Sequence, residues 1–115
     1  MLRKLVFTMI AFSGLVVSVH AGETVGERFD KYRTSEAVRY ALGEAGDAYS
    51  WANARLSNQN QQRLYCQPAK LGMTSDQYWA IFEGYLQRHP EIRADPATVW
   101  NYVLLNALQE TFPCM

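Results

Sequence analysis

The sequence predicts an all-α fold: a small three-to-four-helix bundle stapled by one disulfide. Three observations carry this expectation. No segment alternates apolar and polar residues with the period of two that a half-buried strand requires, three segments repeat apolar residues at helical spacing, and the chain holds two cysteines, Cys66 and Cys114, an even count. The 115 residues are 49% hydrophobic and 19% charged, with 7 Gly and 4 Pro, a composition that excludes disorder, collagen-like repeats and multi-domain architecture.

Residues 1–21 read as a secretory signal peptide. Met1 to Lys4 is a short positive region, Leu5 to Val19 is uncharged, and Val19-His20-Ala21 places small residues at the two positions a signal peptidase reads, so cleavage is expected after Ala21. A membrane anchor fits less well, because the uncharged run, helical at about 1.5 Å per residue, reaches only about 22 Å into an apolar layer about 30 Å thick. No later segment approaches 18 uninterrupted apolar residues, so no membrane association is expected after cleavage. The periplasm is the expected location. Arg3 and Lys4 lie in the leader, so 9 of the 11 Lys and Arg remain against all 11 acids, a balance of −2. Those nine are scattered singly, which leaves no basic footprint for nucleic acid.

Residues 22–34 are charged and mixed in sign, with Val25 and Phe29 the only strong apolar residues, and are expected to form a loosely ordered N-terminal arm. The helical domain is expected over residues 35–115. Val38, Leu42, Ala45, Tyr49, Ala52 and Leu56 recur at intervals of three and four, which predicts a helix from about 36 to 56 with Ser35 as N-cap. Gly43 and Gly46 inside it mark either a close helix approach or a local break. The polar, uncharged run Ser57-Asn58-Gln59-Asn60-Gln61-Gln62 either extends this helix or leaves it as a protruding loop. Pro68 then interrupts helical continuity.

A second helix is expected from Ser75 to Arg88. Thr74 and Gln77 have the spacing of a capping box, Met73 is placed to staple against Tyr78, and Tyr78, Trp79, Phe82, Tyr85 and Leu86 supply a broad apolar face that His89-Pro90 terminates. A third helix is expected with Asp95 as N-cap and Pro96 at its first position, running to about Thr111 through Val99, Trp100, Val103, Leu104, Ala107 and Leu108.

In an exported chain, two cysteines are most simply one disulfide, Cys66 to Cys114; a free or intermolecular thiol is the alternative. A loop of this length contributes about 4 kcal/mol in the chain-entropy description. Cys66, Cys114 and His89 fall short of the four ligands of a structural zinc site, and no cofactor is expected. No phosphate loop, His-Glu-x-x-His helix or nucleophile elbow is present, so the chain is not expected to be an enzyme. His89-Pro90-Glu91 reads as a helix stop with its histidine at the negative end of the helix dipole, and Glu91 and Arg93 could pair across the turn. Most of the Tyr and Trp are expected in the core, with some exposed, where such residues make interface hot spots.

The order Tyr65-Cys66, Pro68, Tyr85-Leu86, His89-Pro90-Glu91, Arg93, Pro96-Ala97, Ala107-Leu108 and Phe112-Pro113-Cys114 resembles the C-terminal half of the Rap/Tai family of small exported helical proteins. The resemblance implies an immunity protein that binds a secreted peptidoglycan amidase effector of a type VI secretion system and occludes its active site, with a homodimer as the expected assembly. Within that mechanism Ser57, Asn58, Gln59, Asn60, Gln61 and Gln62 are the candidate inserted or rim-forming residues, because amides form hydrogen bonds without the desolvation cost of charges. An ordinary solvated connection is the competing reading of that run. Two other functions stay open on sequence: a periplasmic stress or acid-protective chaperone, and a family member with a resident envelope partner.

Overall fold

The apolar stripe from Val38 to Leu56 folds as one long helix, and the last two helices pack against its inner face. The computed structural model describes residues 22–68 and 71–115, and within them four α-helices follow in order: α1 (Val25–Tyr32), α2 (Glu36–Asn58), α3 (Ser75–Arg88) and α4 (Trp100–Thr111). Two short 3-10 segments, Pro90–Ala94 and Ala97–Val99, connect α3 to α4. The signal peptide expected over residues 1–21 lies outside the described residues. Among the described residues, no helix is long and apolar enough to cross a membrane.

Each helix start has a local cause. The Ser35 hydroxyl accepts from Val38 N at 3.3 Å and caps α2. At α3 the capping box closes in both directions, Thr74 Oγ1 accepting from Gln77 N at 3.2 Å and Gln77 Oε1 accepting from Thr74 N at 2.8 Å. The two glycines of α2 mark a close approach rather than a break. A side chain at Gly43 would fall 3.0 Å from the Ser75 Cα and overlap its hydroxyl, and one at Gly46 would enter the Tyr78 ring. The first turns of α3 therefore lie directly against the α2 backbone.

Residues 22–34 do not form a loose arm. Val25 and Phe29, four residues apart on α1, are 0% and 2% exposed, and Phe29 stacks on Trp79 with ring centroids 5.0 Å apart. Phe82 continues the slab to Trp100 at 4.4 Å. Thr24 caps α1 by accepting from Glu27 N at 3.2 Å. Backbone bonds fix the strand-like approach to it: Val25 N donates to Asp95 O and Ala97 N to Glu23 O, both at 2.8 Å. Mixed charge concealed this segment because its outward residues are charged while two apolar side chains suffice for an eight-residue helix.

The same contact corrects the start of the last helix. Asp95 and Pro96 are extended, with ψ of 150° and 142°, and Pro96 forms an isolated bridge with Thr24; Pro96, not Asp95, holds the N-cap position, and what it precedes is the 3-10 segment Ala97–Val99. Regular α-helix begins at Trp100. Arg93 does not pair with Glu91. Its guanidinium crosses to α1, where Nη2 lies 2.6 Å from Asp30 Oδ2 and donates to Gly26 O at 3.3 Å.

His89 joins the ends of α3 and α4. Its Nε2 lies 2.7 Å from Glu110 Oε2, Arg88 Nε donates to Glu110 Oε1 at 2.9 Å, and the imidazole packs on Tyr85 with centroids 4.5 Å apart. Hydrogen bonds from Arg88 and then His89 hold the Glu110 carboxyl below its ordinary value of 4.5.

Two predictions follow from this packing. Truncating Phe29→Ala should destabilise the protein by about 3–5 kcal/mol in urea unfolding, whereas a loose arm would give a change within about 0.5 kcal/mol. A carboxyl lowered in the folded state contributes stability above its unfolded value, and that contribution is lost as pH falls through the folded value. Glu110→Gln should therefore lower the urea midpoint at neutral pH and flatten its decline below the ordinary carboxylate value; an unchanged acid limb would contradict the role of this cluster.

Candidate functional site: the α2 tip and its base

At its C-terminal end α2 runs past Leu56 and stops through backbone geometry. Asn60 is left-handed, with φ of 55°, and is the non-glycine residue of positive φ among those described. Gln61 N donates to Leu56 O at 2.8 Å and Asn60 N to Ser57 O at 3.1 Å, the paired bonds of a Schellman stop in which asparagine takes the place usually held by glycine. Ser57 and Asn58 thus form the last turn of the helix, while Gln59 to Gln62 form the turn beyond it. Both sequence alternatives for this run apply, each to part of it. All six side chains, and Arg63 after them, are exposed.

The base of this tip is buried by contrast. Asn53, 8% exposed, sits one turn inside α2, where its Oδ1 accepts from Leu64 N at 2.7 Å and its Nδ2 donates to Tyr65 O at 3.2 Å. The carboxamide therefore bonds the returning chain as a neighbouring strand would. Tyr65 is 1% exposed, and burial followed by the nearby Asp47 charge pushes its phenol up to about 12. Cys66 N donates to Phe112 O at 2.8 Å, and Cys66 is bonded to Cys114 with Cα atoms 4.9 Å apart. From α4, Gln109 Nε2 donates to Leu64 O at 3.2 Å. The expected disulfide is present, and it ties the base of the tip to the end of α4.

Sequence reasoning did not single out Asn53, although it lies off the apolar stripe in a region where the helix must meet the chain returning from the loop. Nor did it say which aromatic residues are exposed. Trp51 is 77% exposed and Tyr40 63%, both on the outer side of α2, and Tyr102 on α4 is 61% exposed. The stripe itself contains the signal, since Trp51 is two positions, about 200° of helix, from inward-facing Tyr49. Tyr49 reaches α4, donating from its hydroxyl to Asn101 O at 2.8 Å. Among the described residues, no three His, Cys, Asp or Glu side chains converge as metal ligands would.

Removing the Asn53 carboxamide leaves Leu64 N and Tyr65 O without their partner at a buried site. Asn53→Ala should cost about 2 kcal/mol in urea unfolding and speed amide exchange at Leu64 with the disulfide intact. A cost below about 0.5 kcal/mol with unchanged exchange would mean that the disulfide alone holds the base.

The arrangement is suited to recognition: a polar tip on a fixed base, next to a helix that exposes aromatic side chains. No curated protein and no solved structure matches this chain. A family profile described as Rap1a immunity proteins matches residues 16–114, which takes in every helix among the described residues, both cysteines and the tip. The chain belongs to the Rap1a immunity protein family.

Proposed function

We propose that this protein is a periplasmic immunity protein that inhibits a type VI secretion peptidoglycan amidase effector by seating the Ser57–Gln62 tip at its active-site cleft. Membership of the immunity family supplies the class of partner, a cognate secreted effector. The amidase and the route of its delivery rest on the resemblance of the Cys66, His89-Pro90-Glu91 and Phe112-Pro113-Cys114 motifs. One structural observation supports occlusion by the tip: seven consecutive exposed residues, 57–63, stand between a helix stopped by backbone hydrogen bonds and a return segment held by Asn53 and the disulfide.

Such a tip loses little conformational freedom on binding, because its two ends are already fixed. Its amides and hydroxyl can exchange water for hydrogen bonds to a cleft without burying a formal charge. The homodimer that the resemblance implies finds support in the outer face of α2, where Trp51 and Tyr40 are available to a second copy. Tyr40 and Glu44 precede Trp51 and Arg55 on that helix, so an antiparallel pairing would set acidic and basic ends against each other.

The test is to immobilise the oxidised protein, pass secreted and envelope fractions over it, and assay what is retained for cleavage of peptidoglycan. The expected result is one retained amidase whose activity the free protein blocks. Replacing Gln59–Gln62 by a short Gly-Ser link should abolish that block by at least about tenfold in inhibitory concentration, a loss of about 1.4 kcal/mol, without altering the urea midpoint by more than about 0.5 kcal/mol. Undiminished inhibition by a folded variant would refute the role of the tip.

A further inference from the structure

Behind the tip, the last turns of α2 and the segment Arg63–Pro68 enclose a cleft of about 320 Å³, with Ser50, Asn53, Ser57, Asn58, Arg63 and Gln67 on its walls. Among the described residues no carboxylate lines the cleft, and Arg63, the one charged group that does, enters none of the ion pairs formed among them. Ser50 and Ser57 lie two helical turns apart on the same side of α2 and bring hydroxyl donors to the same wall.

A second observation is independent of charge. Gln67 donates its amide nitrogen to Leu71 O, which fixes the orientation of the amide, since a carbonyl can be met only by the nitrogen. Its Oε1 is left buried with no hydrogen-bond partner among the described residues. Asn53 makes no bond to it: one N–H of its amide is held by Tyr65 O and its oxygen accepts from Leu64 N. Buried acceptors are rarely left unpaired, so this oxygen is open to a donor from outside the chain, and a peptide N–H is one such donor.

We infer that the cleft binds an acidic residue within a peptide. The side-chain carboxylate is held by the Arg63 guanidinium and the serine hydroxyls, and the peptide N–H of the same residue is given to Gln67 Oε1. Both deficits of the cleft, an unpaired cation and an unpaired acceptor, are met by one residue type, whereas a free inorganic anion would meet only the first. The inference rests on reading the adjoining tip as a partner-binding element, and it assigns the partner an Asp or Glu flanking the segment that the tip contacts.

The test needs no effector, so its outcome is separate from that of the capture experiment. The isotope-labelled, oxidised protein is titrated at low salt with N-acetyl-glutamate N-methylamide and followed by NMR. Saturable shifts at Ser57, Asn58, Arg63 and the Gln67 side-chain amide are expected, with binding by the corresponding glutamine compound about tenfold weaker. Arg63→Gln should lose the discrimination between the two compounds and Arg63→Lys should keep part of it; both variants should fold, because the side chain is exposed. N-acetyl-glutamine, whose carboxylate is terminal, distinguishes a chain end from an acidic side chain. Stronger binding of that compound, equal response to the glutamate and glutamine amides, or no saturable shift would each overturn the inference.

Discussion

The carboxamide of Asn53 is the interaction on which the tip depends. Without a partner for Leu64 N and Tyr65 O, the chain leaving α2 would have to bury backbone polar groups unpaired or turn away from the helix. One side chain answers both groups, and in doing so fixes the register in which Tyr65 enters the core and Cys66 reaches α4. The Cys66–Cys114 bond then acts on a segment already in place. The disulfide limits the unfolded chain, while Asn53 determines which folded path it takes.

The opposite end of the molecule follows a different rule, apolar rather than polar. Phe29 of α1 lies against Trp79, and the slab continues through Phe82 to Trp100, so that α1, α3 and α4 are joined by rings. The bonds of residues 23 and 25 to 95 and 97 bring the N-terminal segment against the connection between α3 and α4. Gly43 and Gly46 bring α2 close against the first turns of α3, which leaves no room for a side chain at either position. Trp51 and Tyr40 lie on its outer side.

Much of this was legible in the residues. The helical period gave α2 and its inner face, the Thr74-x-x-Gln77 spacing gave the start of α3 with its reciprocal bonds, and the even cysteine count together with the expectation of export gave the disulfide. What escaped had physical reasons. Thr24, Val25 and Phe29 show a cap and a single i,i+4 pair, too little periodicity to stand out among six charges, and the burial of Phe29 depends on rings fifty residues away. Asp95-Pro96 has a good helix-start pattern, yet its backbone is used by residues 23 to 25, a tertiary demand that local preference cannot reveal. Asn60 as a helix stop was concealed in a run of similar amides. Asn53 carries no local sign of its long-range partners.

Membership of the immunity family gives the class of partner, and the proposed mechanism adds a fixed element placed in a cleft rather than a chemical step. The direct measurement is photocrosslinking from position 60, with a crosslinking amino acid replacing Asn60, in the complex with the captured amidase, followed by mass-spectrometric mapping. The account predicts that the amidase peptide joined to position 60 borders its catalytic residues, and that the same group placed at Lys31 on α1 gives no such product. Efficient crosslinking from Lys31, or crosslinks from position 60 only to surfaces remote from catalysis, would contradict it.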